Sequence, residues 1–522
     1  MVTPAQMREM DRAAIHDYGI PGLILMENAA SRIADYIISH VTELFAPGAD
    51  RNVLIVCGKG NNGGDGFAVA RKLFLGDFNV FVLALAARDE LVGDARTNLE
   101  ICERLGIDLI YAPGESVRDI LPFCIARSEL IVDAIFGTGF HGRPEGVYKT
   151  AIRAINESRK KVVSIDTPSG LDGQRGITEG ACIRAYVTLA LGFLKTGLIT
   201  GPGTVNTGRV ELLDIGLPGD LTEKAPWDAR LTGEKELEAL RRPRERSTHK
   251  GAYGKLLFVT GSPGMTGAGC LAAEAALTAG AGLVYLAVPG SLAHIYETSV
   301  REAITLCAGS NVDRTISLES SEAISNYADR NDVVAIGPGM STDPETAKAI
   351  VKVVTSVQKP IVIDADALTA VSRDISALDR LRAPAVLTPH EAEMARLLGA
   401  SAANVARNRL PIAREFAVQH KVTLVLKGYR SIVAMPDGRA YVNPTGNPGM
   451  ATAGAGDVLT GIIAALIGTG IAAPEAAVVA VYMHGLAGDL AAAALGERSV
   501  RASDIIRYLP AAFIRYTESG DL

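Results

Sequence analysis

Short apolar runs rich in Val, Ile and Leu alternate with longer stretches of helical period, and the alternation occurs twice. In the first half the runs are Asn52–Cys57, Asn79–Ala84, Leu130–Phe136, Lys161–Ile165, Tyr186–Leu191 and Arg209–Leu213. Several are apolar almost throughout, as a strand covered on both faces requires. Helical stretches such as Gly66–Leu75 and Val147–Ser158 lie between them. The second series is Lys255–Thr260, Leu283–Val288, Val333–Ile336, Ile361–Ile363, Ala385–Leu387, Thr423–Lys427 and Ser431–Met435, with Ala-rich helical stretches at Gly269–Ala279 and Pro474–Ala494. This spacing predicts an α/β protein of two domains, each a mostly parallel sheet with helices on both faces. Residues 216–250 break the pattern with Pro218, Pro226, Pro243 and the basic cluster Arg241, Arg242, Arg244 and Arg246, interrupted by Glu245. They read as a solvated linker between domains 1–215 and 251–522.

Composition narrows the function classes. The chain has 522 residues, 48% of them hydrophobic and 21% charged, an ordinary globular balance with ample material for large cores. A net charge of −6 argues against a nucleic-acid partner held by phosphate neutralisation. The six cysteines are far apart and form no C-x-x-C, so neither a disulfide framework nor a zinc site is expected, and a reducing cytoplasm fits. No H-E-x-x-H pair occurs among the eight histidines. The N-terminus lacks a charged-then-apolar signal pattern, so a cytoplasmic, prokaryotic chain is expected. The uncharged stretch after Asp457 reaches Glu475 but is broken by Thr, Gly and Pro474. It reads as a buried core helix, and no membrane partner is expected.

The chemistry concentrates in residues 443–461, Asn-Pro-Thr-Gly-Asn-Pro-Gly-Met-Ala-Thr-Ala-Gly-Ala-Gly-Asp-Val-Leu-Thr-Gly. Gly454, Ala455 and Gly456 can turn backbone N–H groups toward a phosphate, at the positive end of the helix that begins near Val458. Asp457 at that junction can take the proton of a hydroxyl as it attacks a phosphoryl group. No G-x-x-x-x-G-K-[ST] loop occurs, so phosphoryl transfer would run without one. Taken alone, G-A-G-D is also a glycine-rich helix start with a capping Asp. In the first half, Gly58-Lys59-Gly60-Asn61-Asn62-Gly63-Gly64-Asp65-Gly66 follows a strand as a polar loop able to hold a phosphate, an alkali cation or both. Further strand exits carry Asp133, and Asp166 with Ser169. In an open parallel sheet these would converge with Asn62 on one crevice.

The first 215 residues resemble the NAD(P)H-hydrate epimerase (YjeF N-terminal) family. The match rests on Arg8…Asp11, Leu25-Met26-Glu27-Asn28-Ala29-Ala30, the Gly-Asn-Asn-Gly-Gly-Asp-Gly loop, Asp133…Gly137-Thr138-Gly139 and Asp166-Thr167-Pro168-Ser169-Gly170. Lys59 stands where that pattern has Pro. The resemblance implies a Rossmann-like fold and a potassium ion on Asn62, Asp133 and Ser169. It implies substrate contacts from Asn61, Asn62, Gly63, Gly64, Asp65, Gly137, Thr138, Gly139, Phe140, His141, Gly142, Arg143, Tyr148 and Asp166, with Asp166 moving a proton.

Residues 230–515 resemble the ribokinase-like superfamily, and within it the ADP/ATP-dependent NAD(P)H-hydrate dehydratases. Gly264-Met265-Thr266-Gly267-Ala268, Gly337-Pro338-Gly339, Asp364-Ala365-Asp366-Ala367, Thr388-Pro389-His390-Glu391, Lys427-Gly428 and Asn447…Asp457 carry the match. Ala453 and Ala455 depart from the pattern, and Ala455 has no hydroxyl to offer a phosphate. The resemblance implies that Ala268, Gly339, His390 and Asp457 touch the hydrated dinucleotide, with Asp457 catalytic. Lys427, Gly428, Tyr429, Arg430, Ser431 and Gly456 would hold ADP or ATP with magnesium. The implied activity is repair of hydrated NADH and NADPH by epimerisation and nucleotide-dependent dehydration, in a homo-oligomer. ADP is the expected cosubstrate of a prokaryotic member. The alternative is a small-molecule kinase, for a vitamin precursor or sugar, with an N-terminal ligand-binding module. An NAD-dependent oxidoreductase rests only on the G-x-G-x-x-G spacing of Gly58, Gly60 and Gly63.

Overall fold

The computed structural model describes residues 1–224, 227–241 and 247–517. They divide into two compact units, Met1–Ala229 and Arg230–Leu522.

The first unit holds β1 (Asn52–Cys57), β2 (Asn79–Ala84), β3 (Asp108–Tyr111), β4 (Leu130–Ala134), β5 (Lys161–Ile165), β6 (Val187–Leu191) and β7 (Arg209–Leu213). Among the described residues they form one parallel sheet in the order β3-β2-β1-β4-β5-β6-β7. Val53, Ile55 and Cys57 point into a core shared with helices Pro4–His16, Gly22–Ser39 and Asn61–Leu75, while Leu54 and Val56 face helices Val117–Arg127 and Gly146–Ser158. Burial on both faces explains why β1 is apolar almost throughout rather than alternating.

The second unit holds β8 (Arg230–Leu231), β9 (Lys255–Val259), β10 (Leu283–Pro289), β11 (Ile304–Ala308), β12 (Val333–Ile336), β13 (Ile361–Ile363), β14 (Ala385–Leu387), β15 (Thr423–Leu426), β16 (Ile432–Ala434) and β17 (Ala440–Val442). Their order is β11-β10-β9-β12-β13-β14-β15-β16-β17-β8. β15, β16 and β17 pair antiparallel, and the other pairings are parallel. In both sheets the strand order reverses once in mid-sheet, at β1/β4 and at β9/β12. In open α/β sheets ligands bind outside the strand ends at such switch points.

Helix Ala473–Leu495 is long and apolar enough to cross a membrane by length and composition. Its Ala476, Val479, Ala480 and Met483 are fully enclosed in the core with helices Thr266–Thr278 and Ala455–Gly468. The six cysteines are free, and Cys57, Cys102, Cys124 and Cys182 are buried.

Three expectations change. Among the described residues, 216–224, 227–241 and 247–250 are not an open linker. Gly219–Lys224 is helical, Asp228 N–H donates to the Met1 carbonyl at 3.1 Å, and Arg230–Leu231 adds to the second sheet beside β17. Leu237 is buried in the second core. These apolar residues are too sparse to give a period; distant backbone edges supply their partners. Pro226, Arg242, Pro243, Arg244, Glu245 and Arg246 lie outside the described residues. Second, β3, β11 and β17 were not anticipated, being short, and β3 and β11 are edge strands with half-exposed positions. Third, the helix expected from Gly66 begins at Asn61, behind an extended Gly60. Glycine has poor helix propensity, so Asn-Asn-Gly-Gly reads as a loop.

Glycine also sets how closely the helices meet. A Cβ at Gly461 would stand 2.2 Å from the Ala272 carbonyl oxygen of the facing helix. Gly461→Val is expected to destabilise the second unit by about 1–3 kcal/mol through overpacking. Thermal unfolding followed by far-UV circular dichroism checks this, with the transition moving to lower temperature.

Candidate active sites

At the β1/β4 switch point the backbone is packed too tightly for side chains. A Cβ at Gly58 would lie 2.1 Å from the Ile135 carbonyl oxygen, and one at Gly63 would lie 2.0 Å from that of Gly58. The helix start at Asn61 is thereby pressed against the exit of β4, beside a cavity of about 730 Å³. Asn61, Asn62, Asp65, Gly137, Thr138, Gly139, Phe140, His141, Tyr148 and Asp166 line it. Four other expected contacts do not. Gly63 and Gly64 are buried packing positions, Gly142 is an exposed turn residue, and Arg143 Nε donates outward to the Glu179 carbonyl at 3.0 Å.

Asp133 is fully enclosed behind this wall. It accepts from Ser164 Oγ at 2.9 Å, Ser169 N at 2.9 Å, Ser169 Oγ at 2.6 Å and Ile135 N at 3.3 Å. Burial nevertheless holds its carboxyl above the ordinary range. Phe136 N–H donates to Ser169 Oγ at 2.9 Å, and Asn62 Nδ2 is buried with no partner. A buried negative charge gathered with serine, amide and carbonyl oxygens suits a hard monovalent or divalent cation.

Asp166 sits just past β5 in the left-handed region, at φ 65°. A non-glycine residue there is strained and needs surrounding bonds to hold it. Thr138 N–H donates to its Oδ2 at 3.0 Å, and Lys195 Nζ pairs with its Oδ1 while donating to the Leu191 carbonyl at 2.7 Å. Burial alone would raise the Asp166 carboxyl, but the Lys195 ammonium overcomes it and holds the group below its ordinary value. Lys195 was missed at the sequence level. The available signal was a lysine inside Leu191-Gly192-Phe193-Leu194-Lys195-Thr196-Gly197, at the exit of a buried strand. Two more carboxylates share the wall, Asp11 and Asp65. Burial pushes the first up to about 6 and the second well above its usual range.

The second site gathers around the start of helix Ala455–Gly468. Gly454 caps it at φ 90°, a conformation that favours glycine. The Ala455 amide reaches the Thr452 carbonyl at 3.4 Å, so of the expected donors Gly454, Ala455 and Gly456 it is the one already engaged, and the Asp457 amide joins the first-turn donors. A cavity of about 900 Å³ runs from Asp364, Lys427 and Asp457 past Gly456, His390, Gly428, Tyr429, Arg430 and Ser431 to Thr445, Val481 and His484. Lys427 Nζ lies 2.9 Å from Asp364 Oδ1 and 3.9 Å from Glu393 Oε2. A Cβ on Gly456 would sit 3.2 Å from the same nitrogen, which puts the ammonium beside the helix start. Thr460 Oγ donates to Asp364 Oδ2 at 2.7 Å. Burial would raise Asp364, but Lys427 overrules it and keeps this carboxylate below its ordinary range. Asp457 is pushed up to about 7 by burial and by the Asp364 charge, with Lys427 opposing.

His390 is the N-cap of helix Glu391–Leu398. Its Nδ1 accepts from the amides of Ala392 at 3.1 Å and Glu393 at 3.3 Å, leaving the half-exposed ring at the cavity edge. Ala268 and Gly339 are not part of this wall; they pack on each other at the β9/β12 switch point. Asp366 accepts from Ser341 N–H at 2.8 Å, and its charge raises Asp457. Arg409 was also missed. It is buried, and it donates to the carbonyls of Leu426 at 3.3 Å and Lys427 at 3.4 Å and to that of Tyr429, fixing the loop that follows β15.

Two family descriptions match the chain, "YjeF-related protein N-terminus" over residues 22–197 and "NAD(P)H-hydrate dehydratase" over 256–511. The bifunctional NAD(P)H-hydrate repair enzyme Nnr of Moorella thermoacetica is 44% identical over 510 residues, 98% of this chain and 96% of the relative. The chain belongs to the bifunctional NAD(P)H-hydrate repair enzymes. The Escherichia coli member of the family is 34% identical over 462 residues, 88% of this chain and 84% of that protein. A solved ADP/ATP-dependent NAD(P)H-hydrate dehydratase from Bacillus subtilis, co-crystallised with ATP and Mg2+, is 28% identical with a TM-score of 0.48. It covers 55% of this chain and 99% of its own. Asp166 and Lys195 fall within the first match, and Asp364, Lys427 and Asp457 within the second.

Lys195→Met leaves Asp166 buried without its counter-charge. The first unit is expected to lose about 3–5 kcal/mol, the cost of breaking a buried pair. Trp227, the chain's one tryptophan, packs edge-on to Phe193 at 5.3 Å in that unit, so its fluorescence during urea unfolding is the measurement. An unchanged midpoint would mean the pair contributes nothing.

Proposed function

We propose that the two units restore hydrated NAD(P)H in sequence, with epimerisation of the 6-hydroxyl in the first and nucleotide-dependent dehydration in the second. What carries the reading is Asp457. It is a carboxylate with a proton affinity near neutrality, at a helix start whose Gly456 and Asp457 line the same cavity as Lys427.

In the second site the ring hydroxyl of the S epimer attacks the terminal phosphoryl group of ADP or ATP, and Asp457 takes the hydroxyl proton. The two first-turn amides and Lys427 oppose the charge that grows on the transferred group. The ring nitrogen's lone pair then expels phosphate to form N1=C6, and loss of the C5 proton to solvent makes the C5=C6 bond and returns the pair to N1, restoring the conjugated ring. Hydroxide is a poor leaving group; a phosphate ester is not. The loop Lys427–Ser431, held by Arg409, lies against the nucleotide, and His390 meets the dinucleotide at the cavity edge. Ala268 and Gly339, packed together at the β9/β12 switch point, would touch the dinucleotide from that side. Asp364 and Glu393, flanking Lys427, are oxygen donors suited to magnesium. When bound with the nucleotide, that ion offsets phosphate charge.

In the first site Asn62, Asp133 and Ser169 would hold a potassium ion, whose charge when bound offsets the buried Asp133. Asn61, Asp65, Tyr148 and the turn Gly137–His141 form the substrate wall. Asp166, kept ionised by Lys195, is the proton acceptor.

Asp457→Asn is expected to lower dehydration by about a hundredfold or more while sparing epimer exchange, and Asp166→Asn to do the reverse. Absorbance recovery and chromatographic separation of the epimers read the two activities. Loss of both from either substitution in a folded chain would contradict the two-site reading. The pH dependence follows from the sign of the shift. Asp457 acts as a base only when ionised, so the dehydration rate should rise with pH through about 7 and level off above it. Lys427→Met removes a charge that lowers Asp457, so that limb should move to higher pH.

A further inference from the structure

Asp11 is part of the first site's chemistry although no strand end presents it. It lies on helix Pro4–His16, whose preceding residue Thr3 caps it and whose approach is fixed by Val2. Val2 N–H donates to the Leu194 carbonyl at 2.9 Å, and Thr196 N–H donates back to Val2 at 2.9 Å, bracketing Lys195. The helix is thus tied to the segment that supplies the buried ammonium, and Asp11 faces the cavity with Asp65, Asp166 and Lys195. Asp166 is bonded on both oxygens, by Lys195 and Thr138. Among the described residues neither Asp11 nor Asp65 has a hydrogen bond or ion pair, so both carboxyl groups are open to the cavity. The other charged groups on the wall are Arg8, Lys59 and Asp94, and His141 and Tyr148 line it too.

We propose that Asp11 is a second catalytic carboxyl group of the first site, the acid that pairs with Asp166 as base. This rests on the epimerase reading above. In one direction, Asp11 gives its proton to the C6 hydroxyl oxygen. The C6–O bond breaks with its electron pair leaving on water, and the ring nitrogen's lone pair forms N1=C6. The resulting cation is opposed by the Asp166 carboxylate. Water adds to the other face of C6, N1 recovers its pair, and the entering water's proton goes to Asp166. One proton is lost by Asp11 and one gained by its neighbour, so a transfer within the cluster restores the starting state. Two carboxyl groups with proton affinities pushed apart by burial on one side and a lysine on the other are a recurrent acid–base arrangement. The direction of both shifts agrees. Burial raises Asp11 to about 6, with Lys195 lowering and Asp166 raising it further, whereas Lys195 holds Asp166 down.

The test uses the full chain with chemically prepared hydrated NADH and follows epimer exchange against pH. Wild-type kcat should fall as pH rises through about 6, where Asp11 loses its proton. Asp11→Asn should lower kcat by about a hundredfold, leave KM little changed, and remove that limb, while dehydration of the S epimer continues. Asp11→Glu should keep the limb, and added formate should restore exchange to Asp11→Ala. Trp227 fluorescence reports whether the unit is folded; if Asp11→Asn is not, the Glu variant's limb decides. The proposal is overturned if Asp11→Asn keeps most of its kcat, or loses it with the acid limb intact and no formate rescue in Asp11→Ala. A wild-type chain that leaves both epimers unchanged would instead remove the epimerase reading, and the proposal with it.

Discussion

A buried ammonium held against a strand-end carboxylate organises each of the two sites, and most of their chemistry follows from that pair. Lys427 on Asp364 keeps one carboxylate ionised at the floor of the second site. That fixed charge, together with burial, makes the neighbouring Asp457 reluctant to ionise. Without the lysine, Asp364 would be a buried, uncompensated charge; without Asp364, Asp457 would have a weaker reason to keep a proton. Lys195 on Asp166 has the same effect in the first site, with Asp11 and Asp65 as the groups driven upward. Separating the proton affinities of adjacent carboxyl groups is how one site can hold both an acid and a base near neutral pH.

These pairs depend on close backbone approach. Gly58 and Gly63 let the exits of β1 and β4 and the start of helix Asn61–Leu75 occupy a space where any Cβ would collide with a carbonyl oxygen. Gly456 sits against the Lys427 ammonium, and Gly461 lets helix Ala455–Gly468 lie on its neighbour. Of these glycines Gly456 lines a cavity, and the others act by letting backbones approach. The left-handed backbone of Asp166 is held by the bonds that tune its carboxyl group.

The sheets were legible because they are local. Runs such as Asn52–Cys57 and Val333–Ile336 carry their own signal, and two mostly parallel sheets followed from how they alternate with helices. Asp166, Asp457 and the Lys427 loop were legible because glycine, proline and asparagine cluster around them. The partners were not. Lys195 meets Asp166 across 29 residues and Lys427 meets Asp364 across 63, distances at which no spacing rule operates. Arg409 looks like any surface cation at a helix start until the fold buries it. The expected linker hid a strand only two residues long, whose partner β17 lies some two hundred residues away and was itself unrecognised. The glycine-rich loop hid the first turn of a helix, since poor propensity was overridden by packing.

The central claim is that the substrate's own hydroxyl is the nucleophile, deprotonated at Asp457 and departing as part of phosphate. Labelling the 6-hydroxyl of hydrated NADH with 18O and supplying ADP or ATP with magnesium tests it directly. If the hydroxyl attacks phosphorus and its carbon–oxygen bond then breaks, the released phosphate carries the label and the restored coenzyme does not. Unlabelled phosphate accompanying restored NADH would mean that water, not the substrate, attacks the nucleotide, and the account of Asp457 would be wrong.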